Sequence, residues 1–287
     1  MIISDSLKGY ELLDAGDKMK LENWNGILLA RPDPMALWPK NKPELWEKAD
    51  AYYVRSSSGG GHWEYRKQFK NAWNISYKDL LFKVSPTNFK HTGLFPEQSA
   101  NWDLIYDRIS KRPGCKVLNL FAYTGAATMV AAKAGAEEVV HLDASKGIND
   151  WAKENMKLSH LEDKTIRFIV DDALKFTARE IRRGRKYDAI IMDPPSYGRG
   201  PDNELFKFED KINPLIENAL QLFSDEPLFF IINTYTTGYS ATVMNNTLRT
   251  NLEQHGLKGV VQADEIGIPI KDSDLVLPCG QTTRWLP

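Results

Sequence analysis

The sequence predicts an α/β fold: a small β-rich lobe followed by a domain built on a mostly parallel, seven-stranded sheet. From about residue 118 onward, apolar runs rich in β-branched residues alternate with helical patterns, which is typical of βαβ units. The first 90 or so residues differ, because short aromatic-rich runs alternate there with proline and glycine turns. With 287 residues, 42% of them hydrophobic, the chain can bury the cores of both parts.

The elements follow in chain order. The lobe is predicted to contain strands at 26–30, 51–54, 63–66, 73–75 and 80–83. The domain is predicted to contain strands at 116–120, 138–143, 166–170, 187–192 and 228–232, and helices at 126–134, 146–158, 174–183, 208–222 and 240–254. Runs 259–266 and 275–285 have no helix between them, so we expect a closing antiparallel pair. The stretch 56–61, rich in serine and glycine, indicates a flexible hairpin loop or a mobile cover over a site.

Composition limits the classes of function. Lysine and arginine number 37 against 38 acidic residues, so any contact with nucleic acid must come from a local patch. The two cysteines, Cys115 and Cys279, cannot build a disulfide framework or a metal cluster, which favours a reducing compartment and predicts no metal site. We find neither a signal-peptide pattern nor an apolar run near the ~18 residues of a membrane span. We therefore expect a cytoplasmic protein without a membrane contact.

The first strand of the predicted sheet ends in a turn typical of nucleotide-type cofactor sites. Residues 116–125 read KVLNLFAYTG and run directly into an alanine-rich helix, whose N-terminus presents backbone N–H groups to a ligand. A dinucleotide turn usually carries three glycines, because the pyrophosphate must approach the backbone. Here Gly125 is the single glycine of the turn. The bulkier turn favours a ligand without pyrophosphate, and S-adenosylmethionine fits that description.

Acidic residues follow the next strands. Asp143 ends the second strand, where a carboxylate can accept hydrogen bonds from both ribose hydroxyls; capping the helix near residue 146 is the alternative. Asp171 and Asp172 follow the third strand and can either accept from an adenine amino group or cap the next helix. After the fourth strand, residues 193–195 read Asp-Pro-Pro, a rigid extended exit at the edge where open α/β sheets bind ligands.

These motifs resemble those of class I S-adenosylmethionine-dependent methyltransferases. The resemblance rests on residues 119–125, on 143–146 with Asn155 and Asp172, and on 193–195. More narrowly, the chain is similar to bacterial 23S rRNA methyltransferases that make 5-methylcytosine or 7-methylguanine, whose Thr-Gly-Leu-Phe segment matches residues 91–98. The likeness runs from about residue 90 to the end and implies a Rossmann-like fold with S-adenosylmethionine as cofactor and S-adenosylhomocysteine as product. We expect no counterpart of that family's RNA-binding PUA module.

The resemblance also implies roles for individual residues. The turn at 121–125 would surround the methionine part of the cofactor, Asp143 would hold the ribose, Asp171 or Asp172 would face the adenine, and Asp193 would lie beside the methyl group. The predicted cofactor-binding residues are Phe95, Glu97, Gln98, Asn119, Phe121, Ala122, Tyr123, Thr124, Gly125, Asp143, Ala144, Ser145, Asp171, Asp172, Ala173 and Asp193. The predicted catalytic residues are Asp193, Pro194 and Tyr197. Phe95, Glu97 and Gln98 would line the other side of the cofactor, although a turn between lobes fits them equally.

The absence of a cysteine after the fifth predicted strand constrains the acceptor atom. Enzymes that methylate carbon-5 of cytosine first add a cysteine thiolate to the ring. In the 5-methylcytosine branch that cysteine follows strand five, where this chain reads NTYTTG at 233–238. We therefore expect an acceptor that needs no cysteine nucleophile. Enzymes acting on exocyclic amines usually place an aromatic residue directly after the two prolines, but here Ser196 intervenes before Tyr197, so an amine, a ring nitrogen and an oxygen all stay open.

Two basic clusters are candidates for phosphate contacts. One comprises Arg179, Arg182, Arg183, Arg185 and Lys186, for which a solvated helix end is the simpler interpretation. The other comprises Arg66, Lys67 and Lys70, interleaved with Trp63 and Trp73, and suits either an RNA surface or the core of the lobe. We expect His62 and His91 to be structural residues. Tyr197 can stack on a planar substrate or pack within its loop.

The sequence thus predicts an S-adenosylmethionine-dependent methyltransferase. We expect residues 1–92 to form a substrate-recognition lobe and residues 93–287 to form the cofactor-binding domain, with structured, ribosomal-type RNA as the substrate. Methylation of a small molecule or a protein side chain is an alternative, favoured by the near-neutral charge and the missing RNA module. A binding protein that keeps the cofactor without catalysis is another. The oligomeric state does not follow from the sequence.

Overall fold

The computed structural model describes residues 1–56 and 60–287, so half of the predicted loop at 56–61, residues 57–59, lies outside the described residues. The chain divides into two compact units. The first contains Met1–Ala100 and Ile266–Cys279, and the second contains Asn101–Glu265 and Gly280–Pro287. These two units are defined by the contacts within each of them. The predicted boundary between residues 92 and 93 instead separates substrate recognition from cofactor binding, and that division of roles stays a prediction.

The first unit is rich in β-structure, as predicted. Its elements are β1 (Ile2–Ile3), β2 (Tyr10–Gly16), β3 (Met19–Trp24), β4 (Ile27–Pro32), α1 (Pro43–Trp46), β5 (Ala51–Arg55), β6 (Gly61–Tyr65), β7 (Trp73–Tyr77) and β8 (Leu80–Val84). One sheet has the order β2-β3-β4-β5-β6, antiparallel except for β4 and β5, and β7 pairs with β8 in a separate two-stranded sheet. Strand β6 is therefore an edge strand.

The second unit has the predicted Rossmann-like sheet. Its elements are α2 (Ser99–Lys111), β9 (Lys116–Leu120), α3 (Ala126–Lys133), β10 (Glu138–Asp143), α4 (Lys146–Leu158), β11 (Ile166–Val170), α5 (Ala173–Arg182), β12 (Ala189–Met192), β13 (Tyr197–Arg199), β14 (Leu205–Lys207), α6 (Phe208–Gln221), β15 (Phe229–Thr234), α7 (Ala241–Gln254), β16 (Val260–Pro269) and β17 (Val276–Leu286). The strand order β17-β15-β12-β9-β10-β11 is parallel except that β17 runs antiparallel to β15. Residues 266–269 and 276–279 of the last two strands belong to the first unit, where β1 pairs in parallel with β16.

Fully buried strands hold this sheet together. Strand β12 is buried at all four positions and β15 at all six, as expected for a parallel sheet covered by helices on both faces. The apolar side chains of β9, β10, β12 and β15 pack with those of α5, α6 and α7 in one cluster. Because the parallel strands end at the same edge, the segments that follow β9, β10, β11 and β12 are brought together there.

Candidate active site

The site begins at the carboxyl edge of the four central parallel strands. In the ladder, Leu120 lies opposite both Leu142 and Met192. Asp143 in turn lies opposite Val170. The segments that begin at Asp193, Phe121, Ala144 and Asp171 therefore leave the sheet side by side, in that order. With about 4.8 Å between neighbouring strands, the three gaps from Asp193 to Asp171 span roughly 14 Å, which suits an elongated ligand lying across the strand ends.

The turn after β9 has an unusual backbone. Phe121 and Tyr123 have positive φ angles of 57° and 52°, and Gly125 has 87°. Side-chain-bearing residues rarely adopt this conformation, which costs about 1–2 kcal/mol per residue. The turn is held by short backbone hydrogen bonds: the Ala122 amide donates to the Leu142 carbonyl at 2.9 Å, and the Gly125 amide donates to the Ala122 carbonyl at 3.0 Å. The conformation of the segment that should meet the cofactor is thus supported by the protein's own hydrogen bonds.

Gly125 is required both for its backbone and for its lack of a side chain. It precedes α3 in the left-handed conformation. A Cβ atom at this position would lie 3.1 Å from Met129 Cε, 3.2 Å from Ala152 Cβ and 3.3 Å from the His141 ring. The single glycine of the motif therefore allows the turn to pack against α4 and β10, and its role is steric.

Buried polar side chains that are hydrogen-bonded to one another support the turn. Asn119 is 3% exposed within β9, and its side-chain amide donates to Thr128 Oγ1 at 3.0 Å. Thr128 Oγ1 is also 2.9 Å from His141 Nδ1. Burial lowers the pKa of His141 to about 3, so its imidazole is neutral at physiological pH. Asn155 adds a bond from its side chain to the Thr124 carbonyl at 2.9 Å.

Asp143 joins two segments of the site. Its Oδ2 accepts from the Tyr123 amide at 3.0 Å, and its Oδ1 accepts from the Ser145 amide at 2.9 Å. Burial raises the pKa of Asp143, and these two bonds partly oppose that effect. The cap of α4 is Ser145, which accepts from the Ile148 amide, so the capping alternative for Asp143 is not what the structure contains. Because each carboxylate oxygen has two acceptor positions, Asp143 retains capacity for ligand hydroxyls.

The two aspartates after β11 have separate partners. Asp172 is the cap of α5 and accepts from the Lys175 amide through Oδ1 at 2.9 Å. Asp171 accepts from its neighbour's amide at 2.8 Å and forms an ion pair with Arg179. Ala173 is 2% exposed at the start of the helix. The helix-cap interpretation therefore applies to Asp172, while both carboxylates stay at the predicted edge of the sheet.

Asp193 leaves β12 beside the cofactor turn. Its amide donates to the Leu120 carbonyl at 3.3 Å, so its backbone is fixed to the end of β9. Pro194 is buried, whereas Ser196 is exposed. The Thr236 hydroxyl donates to Ser196 Oγ at 2.9 Å, which ties this exit to the loop after β15. The Asp-Pro-Pro segment and the loop at 233–238 thus lie together.

Tyr197 begins a two-stranded ribbon that the sequence did not predict. It lies opposite Lys207 in the pairing of β13 with β14, and it is 57% exposed. On the other face of the ribbon, Phe206 is buried, and its ring centroid lies 5.2 Å from that of Phe121. The ribbon is therefore anchored on the cofactor turn while the Tyr197 ring faces solvent. Of the two interpretations of Tyr197, loop packing does not match this exposure.

The remaining predicted cofactor residues lie in the first unit. Phe95 precedes a short 3-10 helix, Pro96–Gln98, in which Glu97 is 5% and Gln98 is 7% exposed. Burial raises the pKa of the Glu97 carboxyl, and Lys20 and Arg31 partly oppose that effect. The main chain of this helix is held within its own unit, because Ser4 Oγ donates to the Glu97 carbonyl.

Most of the helix-end basic cluster is neutralised. Arg179 pairs with Asp171, Arg183 Nη1 lies 3.2 Å from Glu180, and Arg185 Nη2 lies 2.6 Å from Glu138. Lys186 donates to the Gln221 carbonyl at 2.8 Å. Since these cations already serve neighbouring groups, the solvated-helix-end interpretation fits the cluster.

Several supporting residues escaped the sequence analysis. Thr128, His141 and Phe206 carry no motif, and only their contacts in the folded chain connect them to the turn. No motif predicts the bond from Thr236 to Ser196. A signal existed for the ribbon, since residues 198–203 read Gly-Arg-Gly-Pro-Asp-Asn, a run rich in turn-forming residues.

Comparison with known proteins identifies the family. Residues 53–245, about two thirds of the chain, match the profile of the S-adenosylmethionine-dependent methyltransferases. The chain belongs to this family. S-adenosylmethionine is accordingly its cofactor, and the acceptors of the site fit it, because carboxylates lie at the ends of the neighbouring strands and Asp143 keeps acceptor positions for the ribose hydroxyls.

Two solved structures are similar over nearly the whole chain. A methyltransferase of the family from Agrobacterium tumefaciens is 36% identical, with a TM-score of 0.94 and coverage of 100% of this chain and 93% of the other. A methyltransferase solved in complex with S-adenosylhomocysteine is 18% identical, with a TM-score of 0.74 and coverage of 98% and 76%. At that identity the second likeness shows the fold alone.

Curated relatives carry ribosomal RNA methyltransferase names. The large-subunit methyltransferase K of Neisseria meningitidis serogroup B is 25% identical over 76% of this chain, and the chain covers 63% of that protein. The methyltransferase K/L of Syntrophotalea carbinolica is 32% identical over 55% of this chain and 20% of that protein. The chain thus spans less than two thirds of either relative. In the described part of this chain no helix has the length and apolarity needed to cross a membrane.

Proposed function

We propose that this protein transfers the methyl group of S-adenosylmethionine to RNA, at an acceptor atom that needs no cysteine nucleophile. The observation that carries the proposal is the exit of β12. There Asp193 lies beside the cofactor turn, and the exposed ring of Tyr197 follows on an anchored ribbon. A carboxylate at the strand end, followed four residues later by an exposed aromatic ring, is a suitable set of groups for a planar, hydrogen-bonding base. The ribosomal RNA methyltransferase names of the relatives support an RNA acceptor.

The cofactor would lie across the strand ends. In this proposal the turn at 121–125 surrounds the methionine part, Asp143 accepts hydrogen bonds from the ribose hydroxyls, and Asp172 faces the adenine beside its capping bond. Ala144, Ser145 and Ala173 would contact the cofactor through their backbones. Asn119 would act indirectly, since its side chain is committed to Thr128 beneath the turn. The bound cofactor supplies an electrophilic methyl group on a positively charged sulfur.

Neither cysteine is suited to attack a base. Cys115 is 2% exposed ahead of β9, and burial together with Asp188 raises its pKa to about 11. Cys279 belongs to the first unit, and burial followed by the charge of Glu97 raises its pKa well above the usual value. A thiol with a raised pKa is a poor nucleophile at neutral pH. Thr236 lies in the loop where the 5-methylcytosine branch would carry its cysteine, so carbon-5 of cytosine is disfavoured.

An acceptor with a lone pair needs mainly positioning. Alignment of a nitrogen or oxygen behind the methyl group, in a site that excludes water, can supply much of the acceleration. Asp193 would accept a hydrogen bond from an N–H of the acceptor base and orient its lone pair toward the methyl group. The Tyr197 ring would stack on the same base, a contact worth about 1–3 kcal/mol. An amino group or a ring nitrogen fits these two contacts best.

The test is methyl transfer from tritiated cofactor into fractionated extract of a strain that lacks the protein. We expect label that is released by ribonuclease, resists protease and appears in one methylated nucleoside on mass spectrometry. Asp193→Ala protein is the matched control, because it should label the RNA at least tenfold more slowly under the same conditions. Label that resists ribonuclease but is released by protease, or that stays in the small-molecule fraction, would move the acceptor to a protein or a metabolite. Cofactor binding without transfer to any fraction would indicate a non-catalytic protein.

A further inference from the structure

The first unit exposes a run of aromatic side chains that its core does not use. Tyr65, at the end of β6, is 56% exposed, and its ring centroid lies 5.5 Å from that of Phe69. The Phe69 ring lies 5.8 Å from Trp73 at the start of β7. Phe89, in the loop after β8, is 66% exposed. We call Trp63, Tyr65, Phe69, Trp73 and Phe89 the aromatic strip.

Trp63 connects the two ends of the strip. Its indole Nε1 donates to the Thr87 carbonyl at 2.9 Å and lies 3.3 Å from the Phe89 carbonyl, so it fixes the loop that carries Phe89. Trp63 and Tyr65 are two residues apart on β6 and therefore point to the same face of the sheet. The Trp63 ring also packs edge-on against Tyr53, with centroids 5.4 Å apart. Trp63 thus joins strand β6 to the loop that carries Phe89.

An arrangement of this kind is unusual for a surface without a ligand. Large aromatic side chains add most to stability when they are buried, so rings exposed by more than half contribute little to folding. Here two rings, those of Tyr65 and Phe89, are more than half exposed. Exposed apolar patches of this type mark binding surfaces.

The charges around the strip favour an anionic partner. The Arg66 guanidinium stacks over the Tyr52 ring at 4.2 Å, so its hydrogen-bond donors are displayed at a fixed position. Lys67 pairs with Asp50 at 2.8 Å, and Lys70 is exposed with no ion-pair partner in the described residues. Glu64, the nearby exposed acid, is 3.4 Å from His62. Arg66 and Lys70 therefore place two positive charges beside the strip against the one negative charge of Glu64.

We propose that the aromatic strip and its flanking cations bind single-stranded RNA. Unpaired bases would stack on Tyr65 and Phe89, while phosphates would contact Arg66 and Lys70. Aromatic platforms interleaved with cations recognise single strands, because a base must be unpaired to offer its face. The inference rests on the proposed function, since RNA is the acceptor there, but it concerns a different surface, one that lies wholly within the first unit.

Fluorescence anisotropy with a labelled oligouridine tests the strip. We expect Tyr65→Ala and Phe89→Ala each to weaken binding roughly fivefold or more, because stacking on one base is worth about that factor at its lower limit. Leu37→Ala, an exposed apolar residue of the same unit at 73% exposure, should leave the affinity unchanged. A duplex of matched sequence should bind more weakly than the single strand. Circular dichroism of each variant verifies that the fold is kept.

Salt dependence tests the cations. Arg66→Ala and Lys70→Ala should each reduce the slope of log affinity against log salt by about 0.7, the value for one phosphate contact to a single strand. Arg182→Ala, an exposed cation of the helix-end cluster, is the matched control and should leave the slope unchanged. Unchanged slopes in both strip-flanking variants would overturn the inference.

The outcomes separate the two proposals. If the wild-type protein methylates RNA while the Tyr65→Ala/Phe89→Ala double variant binds oligouridine with wild-type affinity, the strip is not the RNA surface and the proposed function stands. If the strip binds RNA but no extract RNA is methylated, the proposed methylation of RNA is wrong and the inference about the strip is supported. If the double variant keeps RNA binding but dissociates a dimer in sedimentation, the strip is a contact between copies and the inference is overturned.

Discussion

At the scale of single residues, the backbone strain of the site lies at two aromatic residues that have positive φ angles. Phe121 at 57° and Tyr123 at 52° adopt a conformation that favours glycine. Each is compensated by one specific contact. Phe121 packs against Phe206, and the Tyr123 amide donates to Asp143. Removing the acceptor of the second contact should therefore disturb the turn as well as the ligand.

The first prediction concerns Asp143→Ala. The change removes the proposed acceptor of two ribose hydrogen bonds and the acceptor of the Tyr123 and Ser145 amides. Calorimetry should show S-adenosylmethionine affinity lower by about 1.5–3 kcal/mol, as expected for hydrogen bonds to a charged group. Asp150→Ala, an exposed carboxylate on α4, serves as control and should bind normally. Unchanged affinity in Asp143→Ala would remove this residue from the site.

The second prediction concerns Asp193→Ala. Because Asp193 is proposed to orient the acceptor, its loss should lower kcat at saturating cofactor by tenfold or more, on the order of 1.4 kcal/mol of lost transition-state stabilisation, while cofactor affinity changes little. Single-turnover methylation and calorimetry on the same protein separate the two quantities. A large loss of cofactor affinity with normal kcat would make Asp193 a binding residue only.

The positions of the site residues were easier to predict from the sequence than their hydrogen-bond partners. The order of strands in the sequence was enough to predict that Asp143, Asp171 and Asp193 follow the ends of parallel strands. Which aspartate caps a helix was not predictable, because both Asp143 and Asp172 precede helices at suitable spacing. The structure distinguishes them, since Ser145 caps α4 and Asp172 caps α5. Such competition between neighbouring acceptors depends on backbone geometry that a sequence pattern does not contain.

At the scale of elements, the turn and α3 depend on Gly125. The third prediction is that Gly125→Ala lowers the free energy of unfolding through two costs. A positive φ costs alanine about 1–2 kcal/mol, and the new Cβ would lie 3.1–3.3 Å from three neighbours. We expect a total above 2 kcal/mol by urea unfolding, together with weaker cofactor binding, since helix α3 must shift.

Gly184 offers a matched control for this change. It also has a positive φ, 66°, but a Cβ there would meet nothing within 4 Å. Gly184→Ala should therefore show only the backbone cost of about 1–2 kcal/mol and normal cofactor binding. If the two variants lose the same free energy of unfolding, the close packing around Gly125 does not add to the cost of the substitution.

Some elements were predicted to the residue, and others were missed. The predicted bounds of β9, β10, β11 and α4 match the structure. Helix α2 and the hairpin of β2 and β3 were missed. The turn of that hairpin is formed by Asp17 and Lys18, with φ angles of 51° and 62°, where the usual signal is Asn-Gly or Asp-Gly. The two strands also alternate irregularly, because a bulge follows Leu12.

At the scale of the whole molecule, positive and negative side chains are nearly equal in number, and many of them form ion pairs with each other. The formal net charge is −1, and within the first unit several charged groups are buried together. Arg31 donates to both oxygens of Glu22 at 2.6 Å, and the Tyr10 hydroxyl donates to the same carboxylate at 2.8 Å. Lys20 lies 3.3 Å from Asp33. Such a network couples the stability of the first unit to pH.

The last prediction concerns Glu22→Gln. Burial alone would raise the pKa of Glu22, but Arg31, Lys20 and the hydrogen bonds outweigh burial and lower it to about 2. A carboxyl with a lowered folded-state pKa stabilises the protein fully above its unfolded value, about 4.3, and loses this contribution as the pH falls toward 2. Glu22→Gln leaves Arg31 buried without its anion, so we expect a loss of about 3–5 kcal/mol at pH 7 in urea unfolding. The difference from wild type should shrink below about pH 4. Glu11→Gln, which breaks the exposed pair with Lys271, should cost less than about 1 kcal/mol, and equal losses in the two variants would contradict a role for burial.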